Sequence, residues 1–153
     1  MAVVRHTIPC SRTEVFEALV DPGTYPLWLV GAREIRSVDA DWPAVGSAFY
    51  HRVGLVGPLK VSDFTKVVEI EEPHRLSLEV RARPLGRGRA TFVLTERSGP
   101  AGPQTVVEVT EGPIGPLAPI EPLVGPLIAR RNRRSLANLA DHLQRGSSHR
   151  APG

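Results

Sequence analysis

The sequence predicts one α+β domain, in which a meander of β-strands lies between short N-terminal helices and a long C-terminal helix. The chain has 153 residues, of which 41% are hydrophobic and 23% charged, values typical of a single globular domain. Hydrophobic residues follow helical spacing near the N-terminus, alternate with a period of two over about residues 32–111, and return to helical spacing after residue 126. Strands and helices do not alternate along the chain, which argues against a Rossmann-type parallel sheet.

A short strand and two short helices are predicted before the meander. Residues 3–8 are β-prone, and a helix is expected over about 12–20. Ser11 can cap the amide of Glu14 at the start of that helix, because the serine precedes apolar residues at helical spacing. Residues 24–29 are expected to form a short helical turn.

Six strands are predicted in the central region. The clearest is 76–82, where Leu76, Leu78 and Val80 alternate with polar residues, as in a half-buried antiparallel strand. Short turns separate these strands, except for a polar loop expected at 98–103, and the spacing indicates an antiparallel meander. The predicted strands are 34–38, 47–53, 59–71, 76–82, 90–96 and 105–111.

Prolines make the start of the last helix hard to define. They recur nearly every third residue, and an ordinary helix cannot run through them unbroken. We expect a helix over about 123–144 that ends at Gly146, with Asn132 and Ser135 off its mostly apolar stripe. The domain is then 1–146, followed by a disordered tail at 147–153. The prolines are Pro113, Pro116, Pro119, Pro122 and Pro126, and the stripe consists of Leu127, Ile128, Arg131, Leu136, Leu139 and Leu143.

Three stretches of sequence resemble one known family. They are the segment from Val15-Phe16 through Asp21-Pro22 to Tyr25-Pro26-Leu27-Trp28, the run VVEIEEPHRL at 67–76, and the leucines of the last helix. Over about residues 3–145 the chain resembles the START-like (SRPBCC) superfamily, and within it the polyketide cyclase/dehydrase group. These motifs consist mostly of turn and core residues, so they specify the fold better than the activity.

The resemblance implies a helix-grip fold, in which a curved antiparallel sheet of about seven strands wraps around the long C-terminal helix. A cavity lies between helix and sheet in this family. Its members bind lipids, sterols, polyketides or plant hormones, and some catalyse aromatic ring closure. We therefore expect this chain to bind a small hydrophobic ligand, as a carrier or a sensor. The alternative is a cyclase- or dehydratase-like enzyme that uses an acid/base residue in the cavity.

Candidate ligand-binding residues follow from where that cavity is expected. Trp28 is either a ring near the cavity mouth or a core anchor between the short helix and the sheet. Arg131 belongs to a cluster of arginines that is either a solvated helix face or a phosphate-binding patch. The full set is Trp28, Phe49, His51, Val53, Leu78, Val80, Phe92, Leu127 and Arg131.

Few polar side chains are candidates for catalysis. His51 can act as a general base if its strand face is concave, and Asp63 can orient His51 or a ligand hydroxyl. The alternative for His51 is a structural or exposed histidine. Glu111 either enters the cavity near the start of the last helix or lies on the surface at a strand end, and Arg81 is expected on the solvated convex face.

The sequence argues against several other classes of protein. The histidines and the single cysteine, Cys10, have no metal-ligand spacing, so no metal is expected. The sequence contains neither a GxGxxG nor a P-loop motif, so no cofactor is expected either. The net charge of +3 is too small to indicate nucleic-acid binding, and no apolar run is long enough to form a membrane span. We expect a cytoplasmic protein, monomeric or homodimeric.

Overall fold

Residues 1–30, 34–54, 60–82 and 86–150 are described by the structure, a computed structural model. The side chains at positions 34, 36, 51–54, 60–63, 82 and 147–150 lie outside this description. The turn segments predicted at 55–58 and 84–85 and the tail residues 151–153 also lie outside the described residues.

Seven antiparallel strands form one sheet, as the sequence predicted. The strands β2 to β7 are neighbours in chain order, and β1 pairs with β7 at the other edge, giving the order β1-β7-β6-β5-β4-β3-β2. The strands are β1 Ala2–Ile8, β2 Glu34–Val38, β3 Ala48–Gly54, β4 Lys60–Glu71, β5 Arg75–Ala82, β6 Gly86–Gly99 and β7 Gly102–Ile114.

Three α-helices pack with this sheet in the described ranges of the chain. They are α1 Arg12–Leu19, α2 Tyr25–Trp28 and α3 Glu121–Arg150. Helix α3 packs on β1, β7 and α2, while α1 packs on β6 and β7. The sheet and the long last helix form the α+β helix-grip arrangement that the sequence predicted. The remaining helical segments are short 3-10 turns at Pro22–Thr24 and Gly115–Ile120.

The core lies between the helices and one face of the sheet. Helix α1 contributes Val15, Phe16 and Leu19, which are fully buried. The amide of Glu14 donates a hydrogen bond of 3.3 Å to Ser11 Oγ, so the predicted N-terminal cap of this helix is confirmed.

The last helix is longer than predicted at both ends. It begins at Glu121, passes through Pro126 and continues beyond Gly146 to Arg150. Pro122 lies in the first turn, where backbone N–H groups need no intrahelical partner. Pro126 removes one backbone hydrogen bond, the one that would reach the carbonyl of Pro122, and the helix tolerates this loss. The predicted start at about residue 123 lies within two residues of the observed one, whereas the predicted end at Gly146 was wrong, because the helix continues to Arg150.

The hairpin between β6 and β7 is also longer than predicted. Ser98 pairs with Pro103 and Gly99 with Gly102, so a loop of two residues replaces the expected loop at 98–103. Gly102 has a φ of 121°, a backbone conformation that glycine adopts without a steric penalty. The polar composition of this segment therefore indicated a turn correctly, but the loop predicted at 98–103 is longer than the observed loop of two residues.

Candidate functional site

The inner face of the sheet is identified by its buried residues. Phe49 on β3 lies opposite Thr65 on β4, and Thr65 lies opposite Val80 on β5. Phe49 and Thr65 are buried, so this row faces the helices. The neighbouring row faces outward, where the guanidinium carbon of Arg81 lies 5.6 Å from the centre of the Phe64 ring. The predicted convex position of Arg81 is thereby confirmed.

Apolar residues of the inner surface differ in exposure between its two ends. At one end Leu76, Val107 and Leu139 are fully buried in the core. Towards the start of α3, the apolar side chains are only half-buried, as at Val80 on β5 and at Ile128 on α3. Ile128 belongs to the inner face of α3, because it precedes buried residues by four and by eight positions. The inner surface therefore leaves apolar area open at this end.

A polar cluster lies among these residues. Glu111 follows the buried Val109 by two positions on β7, which places it on the inner face of the sheet. Asn132 Nδ2 donates to Glu111 Oε1 at 3.2 Å, while Arg131 Nη2 forms an ion pair with Glu111 Oε2. Of the two alternatives for Glu111, the structure favours the inward-facing one, since only 15% of its side chain is exposed.

The sequence prediction for Asn132 was wrong. Like Ser135, which is 2% exposed, Asn132 was expected off the buried stripe, yet it is only 4% exposed. Its position four residues after Ile128 and four before Leu136 could have indicated this, because such residues share one helix face. The polar character of the side chain concealed its inward position.

An aromatic cluster fills the space between α2 and the sheet. Trp28 meets Tyr25 edge to face with ring centres 5.5 Å apart, and Tyr25 lies 5.4 Å from the Phe49 ring. Trp28 is 3% exposed, and its Nε1 donates to Thr24 Oγ1 at 3.1 Å. These contacts favour the core-anchor interpretation of Trp28. Phe49 belongs to the same core, and so does Leu78.

Tyr25 is held as a neutral phenol within this cluster. Burial raises the pKa of Tyr25, and the negative charge of Asp21 adds to the effect. The hydroxyl donates to the backbone carbonyl of Leu19, so the only polar group of the side chain has a partner inside the fold. Tyr25 therefore acts as a structural group that fixes α2 on α1.

The ligand-binding candidates on α3 and β6 differ in how far they are exposed. Leu127 is 68% exposed and lies nine residues from the buried Leu136, which is about 180° around the helix. The expectation that Leu127 lines the cavity does not agree with this position. Hydrophobicity alone placed it on the stripe, although its neighbour Ile128 is the inward residue.

Arg131 is also exposed but reaches Glu111, and Phe92 on β6 is partly buried against the core.

The two catalytic candidates are paired by backbone register. His51 on β3 lies directly opposite Asp63 on β4. Position 51 lies two residues after the buried Phe49 on β3, and position 63 lies two residues before the buried Thr65 on β4. Positions two apart in a strand lie on the same side of the backbone. The side chains of His51, Val53 and Asp63 are outside the described residues, so their roles stay predictions.

Metal-binding clusters and membrane-spanning helices are both absent from the part of the chain that the structure describes. Within those ranges no cluster of His, Cys, Asp and Glu residues could hold a metal ion. No helix there combines the length and apolar composition needed to cross a bilayer.

Solved structures of bacterial proteins share this fold at low sequence identity. Protein NE0264 from Nitrosomonas europaea is 16% identical with a TM-score of 0.68, and the alignment covers 95% of each chain. Protein MLL2253 from Mesorhizobium loti is 20% identical with a TM-score of 0.64, and the alignment covers 94% of this chain and 96% of that one. No functionally curated protein matches the sequence. The family model described as "Polyketide cyclase / dehydrase and lipid transport" matches residues 1–144, so the chain belongs to this family.

Proposed function

We propose that the protein binds a small hydrophobic molecule between the inner face of the sheet and the first half of α3, as a carrier or a sensor. The observation that carries this proposal is the set of half-buried apolar residues, Val80, Val124 and Ile128, at the end of the inner surface near the start of α3. Leaving such a side chain half in water forgoes roughly 1 kcal/mol of burial energy. A bound apolar molecule would recover that energy.

The polar cluster beside these residues suggests how such a ligand is oriented. Ligand pockets are mostly apolar, with a few polar groups that fix orientation. In the described part of the chain, the contacts of Arg131 all involve Nη2. Its Nε and Nη1 atoms are therefore free to meet a carbonyl or carboxylate oxygen of the ligand. An apolar molecule with one oxygen-bearing end fits this arrangement best.

Native mass spectrometry and thermal shift measurements test the proposal. The purified protein is screened against fatty acids, sterols and aromatic polyketides, and we expect a mass adduct and a raised Tm with at least one class. Ile128→Phe should fill the open end and weaken binding, whereas Val45→Phe in an exposed turn should not. If no compound binds, or if both variants bind like the parent chain, the proposal fails.

The pairing of His51 on β3 with Asp63 on β4 favours a second candidate function, a cyclase- or dehydratase-like activity. A histidine opposite an aspartate on one sheet face is suited to moving a proton near neutral pH. The test compares the parent chain with His51→Asn and Asp63→Asn for turnover of linear polyketide precursors across pH. Unchanged turnover in His51→Asn would remove this residue from the mechanism.

A further inference from the structure

One stripe along the outer side of α3 combines apolar and basic residues. Leu123, Leu127, Arg130 and Arg134 follow one another at intervals of four, three and four residues, so they share one helix face. We call these four residues the outer stripe. The opposite face of the helix carries the buried Asn132, Leu136 and Leu139, which shows that the outer stripe points away from the sheet.

The first half of the outer stripe is apolar and exposed. Leu123 is 78% exposed and Leu127 is 68% exposed, and Ile120 extends this patch at the end of the preceding 3-10 turn. Single exposed leucines are ordinary on protein surfaces, but adjacent ones at the start of a helix form a continuous apolar edge. Such an edge favours contact with an apolar phase.

The second half of the outer stripe is basic. Between Glu121 and Asp141 the helix contains no acidic residue, but it contains four arginines, Arg130, Arg131, Arg133 and Arg134. Arg131 is engaged by Glu111. Within the described residues Arg130, Arg133 and Arg134 are exposed and form no ion pair, so their charges face solvent. This local charge complements an anionic surface.

We propose that the outer stripe docks the protein on an anionic lipid membrane. The leucines enter the boundary between headgroups and acyl chains, and the arginines bind lipid phosphates about two turns further along the helix. Buried apolar area and electrostatic attraction to anionic lipids are the two contributions that strengthen membrane binding by an amphipathic helix, and the outer stripe offers both. Docking in this way brings the open end of the candidate ligand site, near Val124 and Ile128, close to the bilayer. The proposal goes beyond ligand binding and does not depend on it.

Co-sedimentation with vesicles tests this proposal. The full chain is mixed with vesicles of phosphatidylcholine alone or of phosphatidylcholine containing one third phosphatidylglycerol. We expect binding to the anionic vesicles, weakened by high salt. The double variant Arg130→Gln/Arg134→Gln should bind more than about tenfold more weakly, because each basic residue near an anionic surface strengthens binding about fivefold. Leu123→Ser/Leu127→Ser should lose binding to a similar extent.

Matched variants separate the outer stripe from general surface effects. Val45→Ser removes an equally exposed apolar side chain elsewhere, and Arg89→Gln/Arg97→Gln removes two exposed charges from β6. Both controls should bind vesicles like the parent chain, and all variants should retain its Tm. Absence of binding to anionic vesicles, equal binding to neutral ones, or insensitivity to the stripe variants would overturn the proposal. Retention of duplex DNA without vesicle binding would overturn it in favour of a nucleic-acid partner.

Discussion

Individual polar residues on α3 hold the rest of the domain in place. Ser135 Oγ accepts a hydrogen bond of 3.0 Å from the amide of Val30, and Asn138 Nδ2 donates to the carbonyl of Trp28 at 3.3 Å. Asn132 links the same helix to β7 through Glu111. These side chains satisfy backbone and carboxylate groups that would otherwise be buried without partners. The long helix therefore positions α2 and the sheet by hydrogen bonds as well as by apolar packing.

Replacing Asn132 by alanine should destabilise the fold measurably. The change removes the donor to Glu111 Oε1 at a buried position, and we expect the free energy of unfolding to fall by about 1–3 kcal/mol. Urea denaturation monitored by circular dichroism measures this loss. Arg133→Ala, an exposed change one position away, should alter stability by less than about 0.5 kcal/mol. Equal effects of the two changes would contradict the role given to Asn132.

Sequence reasoning named two polar residues of the site, Glu111 and Arg131, as candidates but missed the third, Asn132. Hydrophobic periodicity assigns polar side chains to the solvent face, and this rule fails for Asn132 because Glu111 supplies its partner from a strand twenty-one residues earlier. The same rule predicted that Leu127 faces the core, because hydrophobicity alone does not distinguish an exposed leucine on a helix from a buried one. The helical spacing of both residues from Leu136 carried the correct assignment, which the polarity of Asn132 and the hydrophobicity of Leu127 concealed.

The elements were predicted more reliably than the residues of the site. The apolar residues at alternate positions of β5 and the serine cap of α1 are local signals, and the structure confirms the strand and the cap, although Ser77 on β5 is also buried. Helix α3 passes through Pro126, as its predicted bounds of 123–144 required, because packing against β1, β7 and α2 outweighs the local cost of a proline. Tertiary contacts thus stabilise this helix through a sequence that is unfavourable for helix formation by itself.

Pro126→Ala should stabilise the protein. Alanine restores the N–H group that can donate to the carbonyl of Pro122, and it removes the clash of the proline ring with the preceding turn. Allowing for the greater freedom of the unfolded chain, we expect a gain of about 1–3 kcal/mol in the free energy of unfolding.

The matched control for this prediction is Pro122→Ala in the first turn of α3, where no hydrogen bond is gained. It should leave stability nearly unchanged or lower it slightly. Thermal and urea unfolding compare the two variants with the parent chain. A loss of stability in Pro126→Ala would show that the proline fixes a conformation the helix needs.

At the scale of the whole molecule, the fold was predictable because its signals are distributed along the chain. Seven strands and a sheet that packs around the last helix were indicated by strand alternation, by turn residues and by the motifs around Trp28 and Pro73. The observed topology confirms this arrangement. The sequence left open which face of the sheet is concave, since a shift of one residue inverts every side chain. Phe49 and Thr65 are paired and buried, so the face of the sheet that carries them is the one that packs against the helices.

The central claim is that an apolar molecule occupies the open end of the inner surface. Methyl-labelled NMR tests it most directly, with the compound that gives the largest thermal stabilisation in the ligand screen. We predict that the methyl resonances of Val80, Val124 and Ile128 shift on titration, while those of the fully buried Val107 and Leu139 stay in place. Shifts confined to exterior residues such as Val45, or no shift with any compound, would contradict the account.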